Sequence, residues 1–175
     1  MTTVGVVIGV FGDPHWMDLA LRHAMKSVER QKRPPDGFRL VNAGTLAEAR
    51  NRGAEQLKGC ELLVFLDADD ELDPGYLAAM DAAFEPGRLL QPRTLAVYPS
   101  GREDEEAVFI EAASSILDAN HLVIGTGVER ELFLRVGGFY ERPIFEDWCC
   151  WIRCALAGAT TKQVADAIYR VHVAP

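Results

Sequence analysis

The sequence predicts an α/β fold with a mixed central sheet in one compact domain. Short apolar segments alternate with helical segments through the first half of the chain, which is typical of parallel βαβ units. Two of these segments, residues 4–10 and 62–66, are apolar throughout, as expected for strands covered on both faces. With 175 residues, 49% of them hydrophobic, the chain can bury one substantial core, so we expect a single domain over residues 1–175.

The first strand leads through a turn into a helix. Residues 4–10 are rich in β-branched side chains, which favours a strand in the middle of the sheet. After Gly12, Asp13 is the predicted N-cap and Pro14 the first helical residue. Apolar residues then recur on one helical face as far as about Gln31, so we expect one helix over this stretch.

A second strand and a second helix follow. Residues 38–41 predict a short strand. Thr45 and Glu48 have the spacing of a capping box, in which the Thr45 hydroxyl meets the Glu48 amide and the Glu48 side chain reaches back. The helix that starts there carries small residues such as Ala49 and Gly53 on one face, so we expect it to approach the sheet closely.

An acid cluster follows the second apolar segment. Asp67, Asp69 and Asp70 come at the carboxyl end of a predicted strand, where open α/β sheets place their ligands. Asp73 is the predicted N-cap of the next helix, which we expect over residues 75–84. Four aspartates within so short a segment repel one another, which favours a divalent cation among them.

The second half of the chain is less regular. Its predicted elements are one bulged strand or two short strands over residues 89–98, a strand over 122–125, helices over 130–136 and 146–156, and a last strand over 167–171. Gly137 and Gly138 mark a tight turn. The charge run at residues 102–106 fits a solvated loop, whereas residues 107–120 fit a strand and a helix equally well.

Charge and composition exclude several function classes. Asp and Glu outnumber Lys and Arg by 26 to 18, and the net charge of −8 argues against binding to nucleic acid or to an anionic membrane surface. The apolar runs are too short for a membrane span and the N-terminus lacks a charged leader, so we expect a soluble cytoplasmic protein. The four cysteines fit reduced core thiols better than disulfides or a zinc site, because three of them share one predicted helix.

Three segments of the chain form an ordered set. They are N-A-G-T-L-A-E-A-R-N-R-G at residues 42–53, F-L-D-A-D-D at residues 65–70, and G-G-F at residues 137–139 followed by E-D-W at residues 146–148 and by Arg153. Together they resemble glycosyltransferases of the GT-A fold, close to the family-2 inverting enzymes that use nucleotide-sugar donors. The resemblance spans residues 4–172, and the ordered set is far more specific than the D-x-D pair alone.

The chain departs from this family in its first half. The family has a strand that ends in an Asp-Asp-Gly-Ser-like loop, whose acid helps to bind the base. Here only residues 33–41 separate the first helix from the A-R-N helix, and Asp36 with Gly37 is at best a remnant of that loop. We therefore expect base recognition to be reduced or rearranged, which leaves the choice between a UDP-sugar and a GDP-sugar open.

The resemblance implies a metal site in the acid cluster. Asp69 would be the first ligand, Asp67 a direct or ribose-facing contact, and Asp70 a group behind them. Such oxygen ligands suit Mn²⁺ or Mg²⁺, and the ion would offset the charge of the departing nucleoside diphosphate. The alternative role of Asp69 and Asp70 is helix capping. His172 stands where similar enzymes place a third ligand, or else its imidazole is hydrogen-bonded to backbone.

The resemblance also implies a catalytic base in the E-D-W segment. Asp147 would take the proton of the acceptor hydroxyl while the phosphate leaves on the opposite face, and Glu146 is the second candidate base or an acceptor ligand. A helix start favours the Asp147 anion whereas neighbouring anions disfavour it, so the direction of its pKa shift stays open. Both acids could instead only mark a helix start. Trp148 could stack on an acceptor sugar or pack the domain.

The other implied positions belong to the donor site. They are Val10, Phe11, Gly12, Asn42, Arg50, Asp67 and Ala68. Arg50 could pair with the diphosphate or with the Asp67 cluster. Phe11 could pack against the base or belong to the core.

We therefore expect a metal-dependent inverting glycosyltransferase that moves a sugar from a nucleotide-diphosphate-sugar to a hydroxyl acceptor. One alternative is a catalytically silent nucleotide-sugar-binding module. Another is a nucleotidyltransferase, which would not need Asp147 and would more often carry a Gly-rich phosphate loop. We expect acceptor recognition within residues 101–126, and a partner or a homo-oligomer could supply further acceptor surface.

Overall fold

The computed structural model describes residues 1–105, 116–141 and 145–173. The strands in these ranges are β1 (Val4–Phe11), β2 (Gly37–Ala43), β3 (Leu62–Leu66), β4 (Glu71–Leu72), β5 (Arg88–Val97), β6 (Glu103–Glu105), β7 (Val128–Glu129) and β8 (Thr160–His172). The helices are α1 (Pro14–Arg22), α2 (Ala24–Glu29), α3 (Leu46–Gln56), α4 (Tyr76–Ala83), α5 (Arg130–Arg135) and α6 (Glu146–Leu156).

The main sheet has the strand order β2-β1-β3-β7. Strand β1 runs parallel to both β2 and β3, and β7 is antiparallel to β3, so the sheet is mixed as predicted. Every residue of β3 is buried, and β1 is buried up to its last residue. This burial explains why both strands are apolar throughout, since both of their faces are covered.

A second sheet has the order β4-β8-β5-β6. Strands β5 and β8 run parallel, and their register shifts between Pro92 and Arg93, so of the two predicted alternatives the structure has the single bulged strand. Proline cannot donate to the ladder, which accounts for the bulge at this point. An isolated bridge between Leu90 and Gly127 joins this sheet to the segment ahead of β7.

The strand register brings the functional segments to one edge of the main sheet. Ile8 lies opposite Leu66, and Val10 lies opposite Asn42. Because the three strands are parallel, their carboxyl ends open on the same side, and Asp67 follows β3 directly there.

Local capping signals are confirmed at two helix starts. The Asp13 side chain accepts a hydrogen bond of 2.8 Å from the backbone N–H of His15 ahead of α1. The Thr45 hydroxyl accepts one of 3.2 Å from the N–H of Glu48. The Glu48 carboxylate reaches back as expected, but to the N–H of Gly44, one residue before the cap.

The prediction of one helix from Pro14 to Gln31 is wrong. The chain forms α1 and α2 instead, and His23 between them has φ −109° and ψ −74°. The N–H of His23 still donates to Leu19 and the carbonyl of His23 still accepts from Ser27. The break is therefore a bend, which leaves the apolar periodicity intact and could not be inferred from it.

The predicted capping role of Asp73 is also wrong. Helix α4 begins at Tyr76 after Gly75, with no side-chain cap. Asp73 instead accepts a hydrogen bond of 2.5 Å from Nε of Arg170 on β8. The unpredicted two-residue strand β4 pairs with β8 and brings these residues together.

Other differences lie in the second half of the chain. Residues 122–125 do not form the predicted strand, and β7 follows at Val128 instead. Residues 103–105 of the charge run form edge strand β6 against β5 rather than a loop, and charged side chains are typical of such edges. The predictions for residues 106–115 lie outside the described residues. The last strand, β8, is longer than predicted.

Two further features concern membrane-spanning helices and the cysteines. No helix in the described part of the chain is long and apolar enough to cross a bilayer. Cys60, Cys149, Cys150 and Cys154 are all free thiols.

Gly53 allows α3 to lie close against β1, since a methyl group at this position would overlap Cγ1 of Val7. We expect Gly53→Ala to lower the free energy of unfolding by about 1–3 kcal/mol, because an overpacked contact forces the helix outward. Gly59→Ala is the matched control, with nothing within 4 Å of the added atom. Urea unfolding measures both variants, and an equal loss in the two would contradict this close contact.

Candidate active site

Arg50 joins two distant parts of the chain. Its guanidinium, on α3, pairs through Nη2 with Oδ1 of Asp67 at the end of β3. Its Nη1 lies 2.7 Å from Oε1 of Glu146 at the start of α6. The side chain is only 3% exposed. Arg50 therefore pairs with the Asp67 cluster, which is one of its two predicted partners. Glu146 is a further partner of Arg50 that the sequence did not indicate.

Asp67 lies between two pockets. A larger pocket of about 440 Å³ is lined by Asp67, Asp147 and residues 120–124, among others. A smaller one of about 160 Å³ is lined by Asp67, Ala68 and Asp69 together with apolar side chains. The two predicted halves of the site therefore open on either side of one carboxylate.

The smaller pocket brings together most of the predicted donor residues. Val10 and Phe11 line it from β1, and Trp16 closes it from α1. Phe11 is 43% exposed and thus not a core residue. Gly12 follows with a φ of +73°, which allows the chain to turn away from the pocket. Asn42 is exposed at the same sheet edge but lies outside the described lining of either pocket.

Trp16 was missed by the sequence reasoning. It is 39% exposed, an unusual environment for so large an apolar ring. The available signal was a tryptophan in the first turn of the helix that leaves the carboxyl end of β1.

The acids of the cluster have different environments. Burial raises the pKa of Asp69, and Asp67 adds to this shift, against the opposing charges of His172 and His23. Burial likewise raises the pKa of Asp70 to about 7. Asp70 accepts hydrogen bonds from the Tyr169 hydroxyl at 2.9 Å and from the backbone N–H of His172 at 3.0 Å. Asp70 thus supports the cluster from behind, and neither it nor Asp69 caps α4.

Asp147 lies in the wall of the larger pocket. Its Oδ2 accepts a hydrogen bond of 3.3 Å from Nδ2 of Asn120, and its Oδ1 accepts one of 2.7 Å from the N–H of Trp148. Burial raises the pKa of Asp147, and Glu146 raises it further, while both hydrogen bonds and Arg50 oppose the shift. The pKa of Asp147, whose direction of shift the sequence left open, is therefore raised.

Trp148 has an internal hydrogen bond. Its indole N–H donates to the carbonyl of Ile116 at 2.7 Å, and the Trp148 and Phe145 rings form a T-shaped pair with centroids 5.7 Å apart. Phe145 itself is 53% exposed and has a left-handed φ of +61°, a costly conformation for a bulky residue. No sequence signal pointed to Phe145.

The G-G-F segment is held by two residues of the other motifs. Asn51 forms two hydrogen bonds with the backbone of Phe139. Its Oδ1 accepts one of 2.9 Å from the Phe139 N–H, and its Nδ2 donates one of 2.8 Å to the Phe139 carbonyl. Arg153 donates to the carbonyls of Val136 and Gly138. The three resembling segments therefore meet in space, and Asn51 and Arg153 hold the loop in this structure.

His172 lies at the end of β8, next to the acid cluster. Its backbone N–H is bonded to Asp70, while its ring faces His23 and Glu71. Ring atom Nε2 is buried without a hydrogen-bond partner among the described residues. The structure therefore does not show the alternative in which this atom of His172 is hydrogen-bonded to the backbone.

Comparison with known proteins rests on structure alone. No protein-family model matches the chain, and no curated protein matches it either. Solved structures do match. S. aureus TarS 1-349 in complex with UDP superposes with a TM-score of 0.70 at 17% identity, covering 99% of this chain and 61% of that one. GalNAc-T7 with UDP, GalNAc and Mn2+ gives a TM-score of 0.67 at 12% identity, covering 99% and 44%.

The chain has the GT-A fold. The predicted fold class is thereby confirmed. A further match, S. aureus TarS 1-349 in complex with UDP-GlcNAc, has a TM-score of 0.69 at 13% identity. The chain spans between 37% and 61% of the length of these TarS and GalNAc-T7 structures.

Replacing Arg50 tests the link between the two parts of the site. We expect Arg50→Met to lower the free energy of unfolding by about 3 kcal/mol, because Asp67 and Glu146 would lose their shared cation. Arg52→Met is the matched control two residues further along α3, since its pair with Glu48 is solvent-exposed and worth at most about 1 kcal/mol. Chemical denaturation measures both, and similar losses would argue against a structural role of the buried pair.

Proposed function

We propose that the protein is a metal-dependent, inverting glycosyltransferase that moves a sugar from a nucleotide-diphosphate-sugar to a hydroxyl acceptor. The observation that carries this proposal is the position of Asp67 between two pockets. The smaller pocket is lined by Asp67, Asp69 and otherwise mostly apolar residues, and the larger one contains Asp147, whose pKa burial raises. A transferase needs such neighbouring sites, because donor and acceptor must meet at one reacting carbon.

The smaller pocket is the proposed donor site. Phe11 and Trp16 offer exposed aromatic surface against which a base can stack, and Asp67 can accept from a ribose hydroxyl. Val10, Gly12, Asn42 and Ala68 complete the donor positions. The matched structures of TarS with UDP and with UDP-GlcNAc support a UDP-sugar, and the shortened segment ahead of β2 keeps a GDP-sugar as the second candidate.

A divalent cation is the proposed occupant of the acid cluster, whose side chains would have to draw together around it, since the group of three ligating side chains within 4.8 Å in the described part of the chain is His23, Glu71 and His172. Asp67 and Asp69 supply oxygen atoms, which suit Mn²⁺ or Mg²⁺, and His172 supplies a ring nitrogen that has no hydrogen-bond partner among the described residues. The match to GalNAc-T7 with Mn2+ supports Mn²⁺. When bound, the ion would neutralise charge on the leaving diphosphate. Arg50 pairs with Asp67 and so holds this carboxylate in place.

Asp147 is the proposed base. It faces the larger pocket, on the acceptor side of Asp67, where it can take the proton of an incoming hydroxyl. Its raised pKa makes it a stronger base than an ordinary aspartate. Glu146 is paired with Arg50 and is therefore less free to do this, so it is better suited to positioning.

The acceptor would approach through the larger pocket, beside residues 120–124. Trp148 stays the proposed acceptor contact, because it directly follows Asp147, which lines this pocket. We further propose that residues 1–175 act as one domain in the cytoplasm, where four free thiols are stable. A homo-oligomer would enlarge the acceptor surface.

Donor binding and product analysis test the proposal. A thermal-shift screen of UDP-, GDP- and other nucleotide-sugars with and without Mn²⁺ should show a metal-dependent rise in Tm. Turnover of the ligand that binds should release a nucleoside diphosphate. Release of pyrophosphate would indicate a nucleotidyltransferase, and binding without any release would indicate a silent module.

Replacement of Asp147 tests its role as the base. We expect Asp147→Asn to reduce kcat at least about 100-fold, because the variant lacks a proton acceptor, while donor affinity stays within a factor of about two. Asp166→Asn, at an exposed position of β8, is the control. Unchanged turnover in Asp147→Asn would exclude Asp147 as the base.

The pH profile tests the contact with Asn120. Since the base acts when deprotonated, kcat/KM should fall as pH decreases through the raised pKa of Asp147. Asn120→Ala removes a hydrogen bond that stabilises the anion, so we expect this acid limb to move to higher pH. Asn120→Ser, which keeps a donor, should shift it less. An acid limb that stays in place or moves to lower pH would contradict the assignment.

A further inference from the structure

A second group of ligating side chains lies beside the acid cluster. It consists of His23, Glu71 and His172, whose potential ligand atoms all lie within 4.8 Å of one another. The two imidazole rings are 5.6 Å apart between centroids. Nε2 of His172 lies 3.6 Å from Oε2 of Glu71. All three residues are half-buried, so the group is accessible to an ion but partly shielded from water.

Three separate elements hold this group together. His23 is the bend between α1 and α2, Glu71 is on β4, and His172 ends β8. Strands β4 and β8 pair directly, and the backbone N–H of His172 is bonded to Asp70 next to Glu71. Because each backbone is fixed by regular hydrogen bonds, the group is already assembled in the folded chain.

The orientation of Glu71 also fits a ligand. Oε1 of Glu71 accepts a hydrogen bond of 3.1 Å from Nη2 of Arg30, which leaves Oε2 turned towards His172. Metal-ligating carboxylates are commonly held in this way by an outer partner. Nε2 of His172 is buried with no hydrogen-bond partner in the described part of the chain, an unfavourable state that a bound cation would relieve.

We propose that His23, Glu71 and His172 form a preassembled site for a divalent first-row transition-metal ion, which binds without nucleotide. Two imidazoles and one carboxylate are a common ligand set for Zn²⁺ and related ions. Ligand bonds of about 2.1 Å place neighbouring donor atoms roughly 3–3.5 Å apart, so only small side-chain movements close the site. Nitrogen ligands favour Zn²⁺ and Co²⁺ over Mn²⁺, and disfavour Mg²⁺.

The site has a direct relation to the acid cluster. The backbone N–H of His172 donates to Asp70, next to Asp69, so an ion bound between His23 and His172 adds positive charge beside the acid cluster. His172 would then hold the ion with His23 and Glu71 before any diphosphate arrives. That this ion also serves a sugar donor rests on the proposed function, whereas its binding to the free protein does not.

Titration of the nucleotide-free protein with Zn²⁺ and Co²⁺ tests the site. Calorimetry should give one ion per chain, and Co²⁺ should develop visible absorption bands. Each of His23→Gln, Glu71→Gln and His172→Gln should weaken binding at least about tenfold, since even loss of an outer partner costs 10–100-fold. His15→Gln is the matched control, because His15 lies on α1 outside the group and should leave affinity unchanged.

A ligand swap separates loss of the site from loss of folding. His23→Cys keeps a metal-binding atom at this position, and its Co²⁺ complex should show a thiolate charge-transfer band, which a merely misfolded variant would lack. Wild-type protein that binds neither ion without nucleotide, or Gln variants that bind as the wild type does, would overturn the proposal.

Failure of the proposed metal site can be distinguished experimentally from failure of the proposed function. Metal binding that requires a nucleoside diphosphate, and that is lost in Asp69→Asn but kept in His23→Gln, would overturn this site and leave the glycosyltransferase proposal standing. Binding of Co²⁺ to the free protein without any nucleotide-sugar binding or turnover would support this metal site and contradict the glycosyltransferase proposal.

Discussion

One buried cation determines the geometry of the candidate site. Arg50 keeps partners for Nη1 and Nη2 only while Glu146 and Asp67 stay beside it, and a buried charge that loses a partner costs several kcal/mol. The Arg50 side chain can contact both acids only because α3 lies close to the sheet, and Gly53 allows this close packing. Since Asp147 directly follows Glu146, the same contact fixes the distance between the proposed base and the donor pocket.

Different environments give the carboxylates of the site different properties. Asp67 shares a guanidinium with Glu146, whereas Asp70 is buried against Tyr169 and has a pKa of about 7. Asp147 faces a pocket, and burial raises its pKa as well. Chemically identical groups that differ in this way can divide the tasks of charge neutralisation and proton transfer, as is common in enzymes that use several acids.

The sequence predicted what local physics determines. The cap at Thr45 acts within one helical turn, and the apolar β3 reflects burial of every residue, so both were evident from short patterns. Asp73 and Glu146 have partners 97 and 96 residues away, and no short pattern carries such a contact. The resemblance placed the site's segments correctly in one fold, but it could not show that Asn51 clamps the G-G-F loop.

The last strand holds the acid cluster in position, although the two are about 100 residues apart in the sequence. The Tyr169 hydroxyl donates to Asp70 and accepts from the N–H of Asp67, so β8 fixes the acid cluster from below. Arg170 holds Asp73, where the cluster ends. The end of β3 thus takes its shape only when β8 has docked against it. The donor half of the site is therefore a product of tertiary structure, although its acids form one short segment of the chain.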